Sequence, residues 1–267
     1  DSHSEKTGVI VDLATHTPES DSPYLIYPMV RQKQSTVLYA DGGSGKSTFA
    51  LAVAATGATQ ATFVPGVSNT AQRPIKTLYL DWEADSDDVS KMLGELSRGA
   101  GIKIPADHIH YQSMSGAFID HVDELVETIV QNDIELIIVD SLVASAGGDG
   151  ITHTNKSDPL YGSRFFWNLA RQVFRLTSIS EPETNPVLGL YHEKSNRSNL
   201  IAPSAYDVEY GNAESENAFI KYVAQDIQTV PELAKGTGLR ERLIGLMRNG
   251  SMTIDQLADR TGTPDNV

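Results

Sequence analysis

The chain has 267 residues, 40% hydrophobic and 21% charged, and its 35 acidic side chains against 21 basic ones leave a net charge of −14. That length accommodates one sizeable α/β domain with a small appendage; no apolar run approaches the roughly 20 residues of a membrane span, and the acidity argues against a surface coated for sequence-independent DNA binding. With no cysteine at all, disulfides and thiolate metal sites are excluded, and any metal must take oxygen or imidazole ligands.

Residues 1–22 are polar and carry acids, which fits neither a secretory signal nor an Arg-rich transit peptide, so a cytoplasmic location is expected. Residues 36–39 (TVLY) form a short β-rich run that stops at a glycine-rich loop, and residues 47–55 then read as an apolar helix. The stretch 57–74, rich in Ala, Thr, Pro and Gly, is expected to be a surface connection. Residues 77–82 (TLYLDW) read as a buried strand. The helix after them has Val89, Met92, Leu93 and Leu96 at i, i+3, i+4 and i+7 and ends at Gly99 and Gly101. The acidic run Asp85, Asp87 and Asp88 supplies the negative charge favoured at that helix's N-terminus.

Residues 120–131 repeat the helical pattern with Val122, Leu125, Val126, Ile129 and Val130, and lead into 135–140 (ELIIVD), an apolar strand closed by an acid. Strands alternating with amphipathic helices predict an α/β fold: a mainly parallel sheet with helices on both faces. Further on, 186–192 (PVLGLYH) and 218–223 (AFIKYV) read as strands with polar turn material between them, which suits an antiparallel extension at one sheet edge. Residues 239–248 and 253–261 read as two helices separated by Asn249-Gly250, the second opened by a Thr253/Gln256 capping box, and Thr263-Pro264 looks like the start of a third. This tail has the texture of an incomplete helix-turn-helix. The expected organisation is a polar segment over 1–22, a main α/β domain over 23–232 and a helical region over 238–267.

The chemistry sits on the loop. Ala40-Asp41-Gly42-Gly43-Ser44-Gly45-Lys46-Ser47, followed by Thr48, matches G-x-x-x-x-G-K-[ST] at every fixed position but the first, where Ala replaces Gly. Gly42, Gly43 and Gly45 let successive backbone N–H groups turn inward around phosphates, and a helix starting at Lys46 aims its positive dipole end at the same anion. Lys46 is placed to reach the β- and γ-phosphates of ATP, and the Ser47 hydroxyl to ligate Mg²⁺. Asp140, at the end of its strand, puts a carboxylate at the sheet edge where open α/β folds bind ligands, and is read as the second Mg²⁺ contact. Glu83 follows the strand 77–82 in the same way, so its carboxylate is placed beside the same edge to polarise an attacking water.

Together with ITHTNKSD, GSRFFWNLARQVFRL and LYHEKSN, these motifs make the chain resemble the RecA-like ATPases. Within them it resembles the hexameric replicative helicases of plasmids (RepA-type) and related phage and plasmid ATPases, over about residues 36–196. The resemblance implies a RecA-like twisted sheet, Glu83 as catalytic glutamate, Asp140 as the magnesium aspartate and His153 as a polar sensor. It also implies that Arg171, on the helix containing Asn168, and Lys194 contact the γ-phosphate held by a neighbouring subunit. Related ring helicases carry Arg two residues after the lysine; here Asn196 stands there and Arg197 follows. The implied protein is a homo-oligomer, a hexameric ring, that hydrolyses ATP while acting on single-stranded DNA as a helicase or replication-associated motor. The alternative is an ATP-dependent regulator or loader whose nucleotide state controls assembly.

Between Asp140 and ITHTNKSD only residues 141–150 (SLVASAGGDG) intervene. A parallel crossover takes a dozen or more residues, so roughly 20–30 residues, the missing part of a βαβ unit, are expected to be absent between Gly150 and Ile151.

Overall fold

The computed structural model describes residues 12, 14, 23–146, 164–180, 184–211, 217–248 and 252–261. A hairpin comes first, β1 (Tyr24–Tyr27) and β2 (Val30–Arg31), and β3 (Thr36–Tyr39) then runs into the glycine loop. α1 (Lys46–Thr59) leaves the loop and is apolar nearly all round, with Phe49 and every residue from 51 to 58 buried, the mark of a helix inside a core. The stretch 57–74 proves not to be a surface connection. Gly57 belongs to α1, Phe63, Val64 and Val67 are buried, and β4 (Ser68–Asn69) pairs with β1. Its small residues allow close approach: a Cβ at Gly57 would stand 3.0 Å from Ile26 Cδ1.

β5 (Thr77–Asp81) is buried throughout, as a strand covered on both faces must be. α2 (Ser86–Ala100) starts where the acids indicate, with the Asp85 carboxylate accepting from the N–H groups of Asp87 and Asp88, and Gly101 closes it at φ 67°. β6 (Ile109–Ser113), α3 (Val122–Gln131) and β7 (Leu136–Asp140) follow, and β6, β5 and β7 form a parallel three-stranded sheet. Alternation along β5 sends Tyr79 into the main core under α1 and α2, and sends Leu78 and Leu80 into a second cluster with Leu125 of α3. Two short helices, α4 (Leu142–Ser145) and α5 (Arg164–Leu169), stand on either side of residues 147–163, so His153 and the Gly150–Ile151 junction lie outside the described residues.

β8 (Gln172–Ile179) overturns the helical reading of Arg171: the helix stops at Leu169 and the chain becomes a strand. β8 lies between β3 and β9 (Val187–Ser195) and is apolar on both faces over Val173 and Phe174, so its spacing could not distinguish helix from buried strand. β10 (Ser204–Tyr210) was expected to be turn material and is a strand whose Tyr206 and Val208 are buried; β11 (Ile220–Gln225) completes the order β11-β10-β9-β8-β3. In that sheet only β3 and β8 run parallel. The α/β arrangement thus has the expected parallel pairing in β6-β5-β7 and β3-β8 and the expected antiparallel extension at one edge. The extension is larger than expected and makes the fold mixed rather than mainly parallel, because short connections between successive strands from β8 onward admit only antiparallel neighbours.

The main core takes side chains from both large sheets, including Tyr79, Phe174 and Tyr206, around Phe49 and Leu51 of α1. β3 and β7 each have one edge without a strand partner among the described residues. After β11 come α6 (Pro231–Ala234), α7 (Leu239–Arg248) and α8 (Ile254–Thr261), the last with reciprocal Thr253 and Gln256 capping bonds of 3.0 and 3.3 Å. Residues 262–267, where the third helix was expected to begin, lie outside the described residues. No helix among the described residues is long and apolar enough to cross a membrane.

Candidate nucleotide site

The loop between β3 and α1 is shaped by glycine. Gly43 (φ 73°) and Gly45 (φ 80°) occupy left-handed backbone that side chains disfavour. At Gly42, Gly43 and Gly45 nothing stands within 4 Å of where a Cβ would lie, so no packing demands glycine there and the open space is available to a close ligand. α1 begins without a side-chain cap and without an acid in its first turn, which leaves its leading N–H groups and dipole for an anion. The Lys46 ammonium curls back into the loop and donates to the carbonyls of Ala40 and Asp41, both at 2.9 Å. The Ser44 hydroxyl braces the same turn by donating to the Asp41 carbonyl at 2.7 Å.

A cavity of about 470 Å³ adjoins the loop, lined by Ser47, Thr48, Tyr79, Asp81, Glu83 and Asp140 among others. Parallel register explains the convergence: Asp81 and Asp140 are Cα partners at the ends of β5 and β7. The Asp81 carboxylate, 2% exposed, accepts from the backbone N–H groups of Glu83 at 2.8 Å and Ala84 at 3.1 Å. That turn carries Glu83 over the strand end, where its carboxylate accepts from the Ser141 hydroxyl at 2.5 Å. The Tyr79 hydroxyl donates to Asp140 Oδ2 at 2.5 Å. Burial, and next the charge of Asp140, push the Tyr79 phenol well above its ordinary range, so it stays protonated and donates.

The sequence-predicted residues thus divide. Asp41, Gly42, Gly43, Ser44, Gly45 and Lys46 form the loop, and Ser47, Thr48, Glu83 and Asp140 meet in the cavity beside it. Ser47 and Asp140 offer hydroxyl and carboxylate oxygens, the hard donors that suit Mg²⁺ when phosphate oxygens and water complete the shell. Arg171 and Lys194 do not join them. Register sets Gln172 opposite Thr36 and Arg175 opposite Tyr39, so exposed Arg171 lies at the end of the sheet remote from its own loop. The Lys194 ammonium donates to the carbonyls of Trp167 at 2.5 Å and Ala170 at 2.9 Å, closing the end of α5.

Sequence reasoning missed Tyr79 and the bracing role of Asp81. The signal was the period-two alternation of TLYLD, which places both on one face of β5. A second cavity, about 500 Å³, lies elsewhere, between Pro65, Tyr206 and Arg240, and contains none of the predicted residues.

A family model described as an AAA domain matches residues 3–175. No curated protein matches the chain.

Proposed function

The chain belongs to the AAA domain family and is a P-loop ATPase, and from that premise we propose that the cavity beside the loop binds Mg·ATP and hydrolyses it with Glu83 as general base. One observation carries this reading: Ser47, Glu83 and Asp140, from three separate elements, line one cavity at the mouth of the glycine loop. Backbone amides of residues 42–47 would surround the phosphates, and Lys46 would exchange its two carbonyl partners for the β- and γ-phosphate oxygens. Ser47 and Asp140 would hold Mg²⁺, which neutralises phosphate charge when bound. Tyr79 keeps the Asp140 carboxylate oriented, and Ser141 does the same for Glu83. Glu83 then takes a proton from the attacking water.

The reading extends to an assembly acting on single-stranded DNA, a hexameric ring of helicase or replication-motor type. It is supported by the motif resemblance and by exposed Arg171, which lies too far along the sheet to serve its own nucleotide and so would serve a neighbour's. Lys194 would join that contact only by releasing the end of α5. The test measures phosphate release with and without single-stranded DNA while assembly state is followed by light scattering. Strong stimulation by DNA supports the motor. Indifference to DNA, with ATP changing the oligomer size, transfers the reading to a regulator or loader. For the shared site, Arg171→Ala subunits mixed with Lys46→Ala subunits should regain activity; a mixture as inactive as its components removes Arg171 from a trans role.

A further inference from the structure

β9 carries an irregularity two strands over from β3, the strand that ends in the glycine loop. Its register with β8 runs Gln172 to Ser195, Val173 to Lys194, then Phe174 to His192, so Glu193 is an extra residue with no opposite number. A bulge of this kind bends the strand and re-aims side chains, and bulges concentrate next to active sites. Here His192 stacks on Phe174 in the main core, with ring centroids 4.3 Å apart. Glu193 reaches a different set of groups. One carboxylate oxygen accepts from the Tyr39 hydroxyl and the other from Arg175 Nε at 2.5 Å. The Arg175 guanidinium is itself held, 4.2 Å over the Tyr191 ring and donating to the Thr177 hydroxyl at 2.9 Å.

Tyr39 is the last residue of β3, and the next two residues supply the carbonyls that hold Lys46. Burial, and next the bond to Glu193, raise the Tyr39 phenol above its ordinary range, so it remains a donor at every physiological pH. The carboxylate is thus fixed on one side by a clamped arginine and grips the strand from which the loop springs.

We propose that Glu193 is a positioning residue for the phosphate loop: aimed by the bulge in β9, its carboxylate sets Tyr39, and through Tyr39 the place at which the loop departs from β3. It touches neither nucleotide nor water; it acts through Tyr39. The proposal rests on the reading of the loop as the ATP site, and concerns residues that reading does not use.

The experiment titrates a fluorescent ATP analogue against wild type, Glu193→Ala, Glu193→Gln, Tyr39→Phe and the double variant Tyr39→Phe/Glu193→Ala, with KM and kcat measured alongside. Glu193→Ala and Tyr39→Phe should each raise Kd roughly tenfold, about 1.4 kcal/mol, with KM following and kcat nearly unchanged. Glu193→Gln, which keeps an acceptor for Tyr39, should fall between. The double variant should be no weaker than either single one, since both break one link. A role limited to stability lowers Tm and leaves Kd unmoved. Kd within twofold of wild type for Tyr39→Phe, which keeps the ring and its packing, overturns the proposal, and so does an additive double variant. Should wild type itself fail to bind the analogue, the ATP reading of the loop falls, a result distinct from wild type and variants binding alike.

Discussion

Replacing Glu83 by glutamine isolates one carboxylate charge in a site that otherwise stays as it is. The side chain is exposed at the cavity, and its supports belong to other groups: Asp81 makes the turn beneath it through backbone N–H groups, and the Ser141 hydroxyl donates to an oxygen that glutamine retains. Glutamine matches glutamate in shape and cannot take a proton from water. Positioned general bases contribute about 10²–10⁴ in rate, so kcat should fall by that factor, about 2.7–5.4 kcal/mol of barrier. Nucleotide affinity should hold or tighten, because a negative charge leaves a cavity that still contains Asp81 and Asp140. The assay pairs steady-state phosphate release at saturating Mg·ATP with equilibrium binding of a fluorescent ATP analogue. A kcat within fivefold of wild type would refute Glu83 as the base; a loss explained wholly by weaker binding would refute the geometry that separates it from the phosphate cradle.

Three further outcomes are expected. Lys46→Ala removes the ammonium now held by Ala40 and Asp41 and should weaken the same analogue by about a hundredfold, within the range of lost charge-assisted hydrogen bonds; undiminished affinity excludes the loop as the phosphate site. Tyr79→Phe deletes the donor to Asp140 Oδ2 and should cost about 1.5–3 kcal/mol in urea unfolding, with the Mg²⁺ needed for half-maximal turnover rising; the reading fails if both are unchanged. Burial holds the His192 imidazole below the ordinary histidine range of about 6.5, so its stability contribution is complete above that value and is lost as pH falls through the lowered one. Tm should therefore drop between pH 7 and pH 5, and His192→Asn, whose side-chain oxygen can accept the Ile201 N–H as Nδ1 does, should flatten that slope.

The glycine loop, its flanking strand and helix, and the strand-ending acids were legible because each depends on neighbours in the chain. Gly43 and Gly45 need left-handed backbone, Asp85 caps the turn it starts, and Thr253 pairs with Gln256 three residues on. Errors gathered where burial erases periodicity. Val173 and Phe174 are both buried, so their spacing did not separate a helix continuing through Arg171 from the strand that β3 and β9 enclose. Residues 204–210 read as turn because polar Ser204, Asp207 and Glu209 stand among their apolar ones, although Tyr206, Val208 and Tyr210 alternate as a half-buried strand does.

From residue order alone came a phosphate loop with its lysine and serine, and two acids at strand ends, since these rest on local backbone conformation and side-chain type. Tertiary structure decided which of those acids meet Ser47, because the convergence of Glu83 and Asp140 depends on the parallel register of β5 and β7, residues 55 or more apart in the chain. It also decided that Tyr79 holds Asp140, that Lys194 closes α5, and that Glu193 reaches Tyr39 across β8. No local pattern encodes such contacts: they exist only once distant strands have paired, and a single extra residue in β9 is enough to redirect a carboxylate.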